Sequence, residues 1–388
     1  MIYLDNATTT RLDPRILSAM LPFLGDEFGS ASSPHSAGRR AREAVDRARD
    51  EIGGLLGCRA EELVYTGSAT EANNLAVRGT FRARGRRSRR VLVSAVEHVS
   101  VLHPAASLAA EGADVIELDV DSLGHVDLDL LSKVLERGAA LVSVMHGNPE
   151  VGTLQPLREI ARLSHRHGAL VHTDATLTAG LFPGLWRELE VDLLTLTPHL
   201  FHGPKGIGAL VVREGTRLRP QIEGGIQESG LRAGTLNPAL AVGFGEAARL
   251  AREEAPGRAV HIRGLALDLR NRLESVLRNW VLTGDPSERV PGHLSLCLRY
   301  VEGEAVLGLL DAAGILAGSG SACTLGAGKP SHVLRALGVD AILARGAVDF
   351  CFGIFDSTES VEAVGRVLPD VVTALRRLSP LTPDAPER

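Results

Sequence analysis

The chain has 388 residues, 44% hydrophobic and 23% charged, values ordinary for a globular protein with one large and one smaller domain. A net charge of −5 offers no basic surface to nucleic acid or an anionic membrane. No apolar run approaches the roughly 18 residues of a membrane helix, and the opening M-I-Y-L-D-N-A-T-T-T lacks the regions of a signal peptide. The four cysteines, Cys58, Cys297, Cys323 and Cys351, form no C-x-x-C pair. That usage is expected of a reducing cytoplasm, not of a disulfide framework or a self-contained zinc site.

In chain order, E-E-L-V-Y-T (61–66) predicts a strand and E-A-N-N-L-A-V-R-G-T (71–80) a helix. Further nearly continuous apolar runs follow at 90–95, 140–145, 169–174, 192–197 and 208–212, with a helical segment at 156–166 among them. Such alternation predicts an α/β protein whose mostly parallel sheet is covered by helices on both faces. After A-R-E-E-A-P-G-R (251–258) the pattern changes to a long helix (260–278), strands at 293–299 and 348–352, and a helix at 358–377. This predicts a large domain over 14–256 and a small α/β domain made of 1–13 and 257–388. The Pro-rich end, 379–388, reads as a frayed tail.

Four segments carry chemistry. G-S-A-T-E-A-N-N (67–74) is a strand-to-helix turn whose small residues let backbone N–H groups approach a phosphate, a weak signal alone. V-S-A-V-E-H-V-S (93–100) places His98 just past a strand, where a lone histidine is more often structural. V-H-T-D-A-T (171–176) ends an apolar strand on Asp174, a carboxylate that is costly there unless paired. G-S-G-S-A-C-T (318–324) sets one thiol, Cys323, among glycine and serine and predicts an exposed, mobile loop. The other three cysteines lie in apolar stretches and read as small buried hydrophobes.

Together with Y-L-D-N-A-T-T (3–9), F-G-S-A-S-S-P-H-S-A-G (28–38), T-L-T-P-H-L-F-H-G-P-K-G (195–206), R-A-G-T (232–235) and K-P-S-H-V-L-R-A-L-G (329–338), these segments resemble the cysteine desulfurases of the NifS/IscS family. The resemblance covers nearly the whole chain. It implies the fold type I of pyridoxal-phosphate-dependent transferases, with a seven-stranded, mostly parallel sheet in the large domain. It also implies residue roles. Ala69 and Thr70, with Thr197 and His199, contact the cofactor phosphate; His98 stacks on the pyridine ring; Asn148 touches the ring; Asp174 pairs with the ring nitrogen. Thr235 reaches the phosphate of a neighbouring subunit, so a homodimer is implied. Cys323 takes sulfur from cysteine as a persulfide and passes it on.

Four positions depart from the family. Leu200 stands where a lysine forms the Schiff base with the cofactor, a role that needs a primary amine. Leu177 replaces a glutamine that donates to the ring oxygen, and Pro149 replaces the second asparagine of N-N-E. Asp349 replaces an arginine that grips the substrate carboxylate, and an anion there repels it. Arg345 is the nearest candidate to compensate. Only three of the 42 Lys+Arg residues are lysines, Lys133, Lys205 and Lys329, and none has a claim to the missing role. Members lacking the Schiff-base lysine occur among archaeal-type sequences of the family, a branch that V-S-A-V-E-H-V-S-V and D-A-T without glutamine resemble.

The expectation is therefore a sulfur-transfer protein of iron–sulfur assembly, working with an IscU-type scaffold or another acceptor. Pyridoxal phosphate would be bound without a covalent link, and Cys323 would carry persulfide or ligate a shared iron–sulfur cluster. The alternatives are an active desulfurase with a lysine-independent mechanism, a lyase or epimerase on the same fold, or a structural partner protein.

Overall fold

The computed structural model describes residues 1–85, 88–320 and 331–380. Its strands are β1 (Ile2–Tyr3), β2 (Leu63–Thr66), β3 (Arg90–Ser94), β4 (Asp114–Leu118), β5 (Leu141–Ser143), β6 (Leu170–Asp174), β7 (Leu193–Leu196), β8 (Gly208–Val212), β9 (Trp280–Leu282), β10 (His293–Leu298), β11 (Ile315–Leu316) and β12 (Ala347–Cys351). Seven of them form one sheet in the order β2-β8-β7-β6-β5-β3-β4. Only β8 runs against its neighbours; the pairs from β7 through β4 are parallel, in registers such as Asp174 opposite Thr195 and Val93 opposite Ser143. The β2, β5, β7 and β8 segments are buried throughout, which explains why they read as unbroken apolar runs. The edge strand β4, D-V-I-E-L, was not expected from the sequence, because its partly exposed side chains interrupt the run.

Helices bury both faces of this sheet. Ser36–Leu56 and the first half of Pro238–Val276 pack Ile52, Leu56 and Phe244 on one side. Ala69–Arg84 and Val99–Ser107 pack Leu75, Phe81 and Val101 on the other. A second apolar core lies on the antiparallel sheet β12-β10-β9, where Leu296 and Phe350 meet Leu269 and Leu368, the latter from the helix Thr358–Leu378. Leu4 joins this core from the other end of the chain, beside the β1–β11 pair.

The two cores share one helix. Pro238–Val276 is continuous over 39 residues, giving Leu250 and Ala251 to the first core and Ile262 and Leu265 to the second. From the sequence the pattern changes after 251–258 and the long helix is expected only over 260–278. The helix instead runs through Pro256, held by packing at both ends. No helix among the described residues is long and apolar enough to cross a membrane.

Candidate active site

A cavity of about 280 Å³ opens where the parallel strands end, between the two cores. Ligands bind at this edge of open α/β sheets because the strand-to-helix turns present backbone donors and side chains there. Each turn contributes one part.

After β2 the chain turns through Gly67 and Ser68 into the helix Ala69–Arg84. Ser68 Oγ accepts from Glu71 N at 3.2 Å, and the Glu71 carboxylate reaches back to Gly67 N at 2.8 Å, closing both ends of the first turn. Ala69 and Thr70 sit at the cavity edge on this helix start. Gly208 of β8 runs directly beneath, where a Cβ would lie 2.5 Å from the Ser68 carbonyl carbon. Arg232, in R-A-G-T, donates to Glu71 at 2.9 Å and clips that segment to the turn. Thr235 itself is exposed and does not line the cavity.

After β3, His98 caps the helix Val99–Ser107; its Nδ1 accepts from Ser100 N at 3.1 Å and lies 2.7 Å from Ser100 Oγ. After β6, Asp174 accepts from Thr176 N at 3.0 Å and from Asn73 Nδ2 at 2.8 Å. Asn73 Nδ2 also donates to Ser100 Oγ at 2.8 Å. One fully buried amide therefore fixes Asp174 and, through the serine hydroxyl, His98. With Nδ1 accepting, the His98 ring is neutral and its Nε2 carries the proton; burial lowers its pKa in the same sense. Asn73 was quoted in the sequence only as part of a turn, and its role appears only when 73, 100 and 174 are seen together.

Asn148 lines the cavity but its carboxamide is spent on its own loop and on the turn after β3. Its Nδ2 donates to Val96 O at 2.9 Å, and its Oδ1 accepts from Glu150 N and Val151 N at 2.8 and 2.9 Å. Thr197 Oγ1 donates to Ile207 O at 2.9 Å, so that hydroxyl proton points away from the cavity. His199 Nδ1 lies 3.2 Å from Thr9 Oγ1, and burial, then Lys205, lowers its pKa.

Leu200 ends the turn Pro198–Leu200 and, with Leu177, gives the cavity wall an apolar patch. Opposite stand Asp349, on β12, and Glu150. Asp349 is buried, its pKa raised well above the ordinary carboxylate value by burial, then by Glu150 and Asp5. Asp349 Oδ2 and Asp5 Oδ1 converge on Gly318, each 2.7 Å from where a Cβ would stand. Glu150 accepts from Ser331 Oγ at 2.6 Å, and burial pushes its carboxyl up to about 7. Buried Glu97 accepts from Met145 N at 2.6 Å; burial, opposed by that bond, raises its pKa well above the ordinary value. Sequence reasoning assigned no role to Glu97 or Glu150. A glutamate inside an apolar run, as in V-S-A-V-E-H, was the available signal.

Arg345 does not reach this wall. It is exposed at the end of Ala341–Ala344 and pairs with Glu302 at 3.7 Å. Lys133 and Lys205 are exposed and absent from the cavity wall. Cys323 and Lys329 lie outside the described residues. Among the described residues the cavity is lined by Glu97, Glu150, Asp174 and Asp349, and by no lysine or arginine. Burial raises the thiol pKa of Cys58 and Cys297 to about 12 and that of Cys351 further, so none of these three is poised as a thiolate. No group of three or more metal-ligating side chains occurs among the described residues.

The sheet order, the second core and a cavity at the strand ends define an α/β protein of the pyridoxal-phosphate fold type I class. The sequence pattern of the class-V aminotransferases matches residues 2–364. A cysteine desulfurase of Gluconacetobacter diazotrophicus is 42% identical, over 98% of this chain and 95% of the relative. Cysteine desulfurase IscS 1 of Archaeoglobus fulgidus is 40% identical, over 98% and 99%. A solved NifS-like protein superposes with a TM-score of 0.90 at 32% identity, covering 96% of this chain and 99% of its own. The chain belongs to the class-V aminotransferase family, in its cysteine desulfurase branch.

Proposed function

We propose that this chain is a sulfur-handling member of the desulfurase family without the Schiff-base lysine, in which Cys323 carries persulfide sulfur or ligates a nascent iron–sulfur cluster. The observation that carries this reading is the cavity wall itself: four carboxyl groups and no lysine or arginine among its described residues. Such a lining offers no primary amine to anchor an aldehyde covalently and no guanidinium to grip the carboxylate of cysteine.

The same wall suits a pyridoxal phosphate held without a covalent bond. Asp174, oriented by Asn73 and Thr176, would keep a proton on the ring nitrogen. The N-terminus of Ala69–Arg84 would face the phosphate, with Thr70 and His199 nearby, and the neutral His98 ring offers a stacking surface. Bound there, the cofactor supplies an electron sink for bond breaking at an amino-acid α-carbon. Leu200 contributes neither an amine nor a base at the position the family reserves for both. The protein would act as a cytoplasmic homodimer, with Thr235 completing the partner's site, and would deliver sulfur to an IscU-type scaffold or another acceptor.

One observation favours the second reading, an active desulfurase without lysine. Glu150 lines the cavity, and burial pushes its carboxyl up to about 7, the range that suits a substitute base. A cofactor titration followed by absorbance and borohydride reduction tests the main reading. The expected result is reversible binding, lost on dialysis, with no lysine labelled. A borohydride-stable adduct on Lys133, Lys205 or Lys329 overturns it.

A further inference from the structure

A second cavity, of about 210 Å³, opens between the helix Pro238–Val276 and the segment that leads into β10. Three arginines frame it, Arg263, Arg270 and Arg289, and no carboxylate does. Arg263 and Arg270 stand seven residues apart on Pro238–Val276, hence on one helix face about two turns from each other. Arg289 comes from the segment between β9 and β10 and meets them from across the cleft. Its Nε donates to Asp285 O at 2.9 Å and its Nη2 to Thr283 O, while Nη1 is buried without a partner.

The charges here are poorly balanced. Arg270 is paired on its outer side with Glu274 at 2.8 Å. No hydrogen bond or ion pair engages Arg263 among the described residues. Burial, then the nearby Arg270, pushes the Arg289 guanidinium down to about 10, with Asp285 opposing. The remaining wall includes Leu282, Pro286 and Pro291, whose apolar surface strengthens a charge held beside it. Arg263 and Arg270, which keep free N–H groups, stand with the unpartnered Nη1 of Arg289 around a small cleft whose described lining holds no acid, an arrangement that an oxyanion completes by N–H···O bonds.

We propose that this cleft binds a small phosphate-class oxyanion. It shares no lining residue with the cavity at the strand ends, but backbone and side-chain bonds tie the two together. Arg289 pairs with Thr153, Val290 N donates to Gly152 O at 2.8 Å, and His293 Nε2 donates to Pro149 O at 2.8 Å. An anion that neutralises Arg289 therefore steadies the loop that presents Glu150 to the first cavity. This site does not depend on the reading of Leu200 or Cys323.

Calorimetric titration of the full chain with inorganic phosphate, at ionic strength held constant with chloride, tests the proposal. The cofactor is present in excess, and Arg263→Ala/Arg270→Ala is titrated beside the unaltered protein. Any phosphate binding by the Ala69–Thr70 turn is common to both, so the difference isolates the cleft. The double variant is expected to lose at least tenfold in affinity at the cleft. Glu274→Gln, which frees Arg270, is expected to bind phosphate severalfold more tightly, an effect that misfolding does not produce. Identical titrations of the unaltered and double-variant proteins overturn the proposal. So does an unchanged or weakened affinity in Glu274→Gln.

Discussion

Leu200 and Leu177 put hydrocarbon on the cavity wall where the resemblance implies an amine and an amide, and Asp349 puts a buried carboxyl where it implies a guanidinium. Leu200→Lys tests whether the rest of the cradle is intact. With pyridoxal phosphate the variant should gain a visible absorbance band and a borohydride-stable label at position 200, neither of which the unaltered protein shows. Absence of both at high cofactor concentration would mean that Thr70, His98 and Asp174 do not hold the cofactor as assigned. Asn73 is the second residue to test, because its amide serves Asp174 and Ser100 at once. Asn73→Ala should cost about 2 kcal/mol of stability, as expected when buried partners lose a shared donor. It should also weaken cofactor binding, measured by thermal unfolding and absorbance titration.

At the level of elements, the loop between β5 and β6 joins both cavities. Gly152 has φ +80, and a Cβ there would lie 2.8 Å from His293 Nδ1 and 2.9 Å from Arg289 Nη1. Gly152→Ala should therefore destabilise the protein by about 1–3 kcal/mol, read as a lowered melting temperature. The parallel strands were legible in the sequence because burial on both faces makes them unbroken apolar runs. The partly exposed β4 was not, and neither was the passage of one helix through Pro256, since only packing at its two ends holds it there. The chemical residues divide in the same way. Asp174 stands out as an acid closing an apolar strand, whereas Glu150, Asn73 and Asp5 matter through neighbours far away in sequence. Asn148 and Thr197 line the cavity as expected, yet their polar atoms are taken up by the backbone, which no local pattern reveals.

For the molecule as a whole, the buried acids set a pH dependence. Glu150 is raised by burial from an ordinary 4.5 to about 7, with Asp349 and Cys297 as its titratable neighbours and Ser331 as its hydrogen-bond donor. A raised folded-state pKa means the folded protein holds a proton that the unfolded chain releases. Stability from this group is fully present below pH 4.5 and is lost as pH rises to about 7, a change of order 3 kcal/mol. Asp349 and Glu97 act in the same direction. Glu150→Gln keeps a hydrogen-bonding group beside Ser331 and should flatten this dependence, leaving the variant more stable than the parent at pH 8. An unchanged pH profile of melting temperatures would show that Glu150 is not the group responsible. The central claim, that the chain has given up the lysine step, is tested most directly by sulfide release from L-cysteine in the presence of pyridoxal phosphate and a thiol reductant. Beside a lysine-containing desulfurase, the rate should be lower by at least about 10²-fold, the lower bound for losing a positioned acid–base group. Turnover within tenfold of that enzyme would contradict the account.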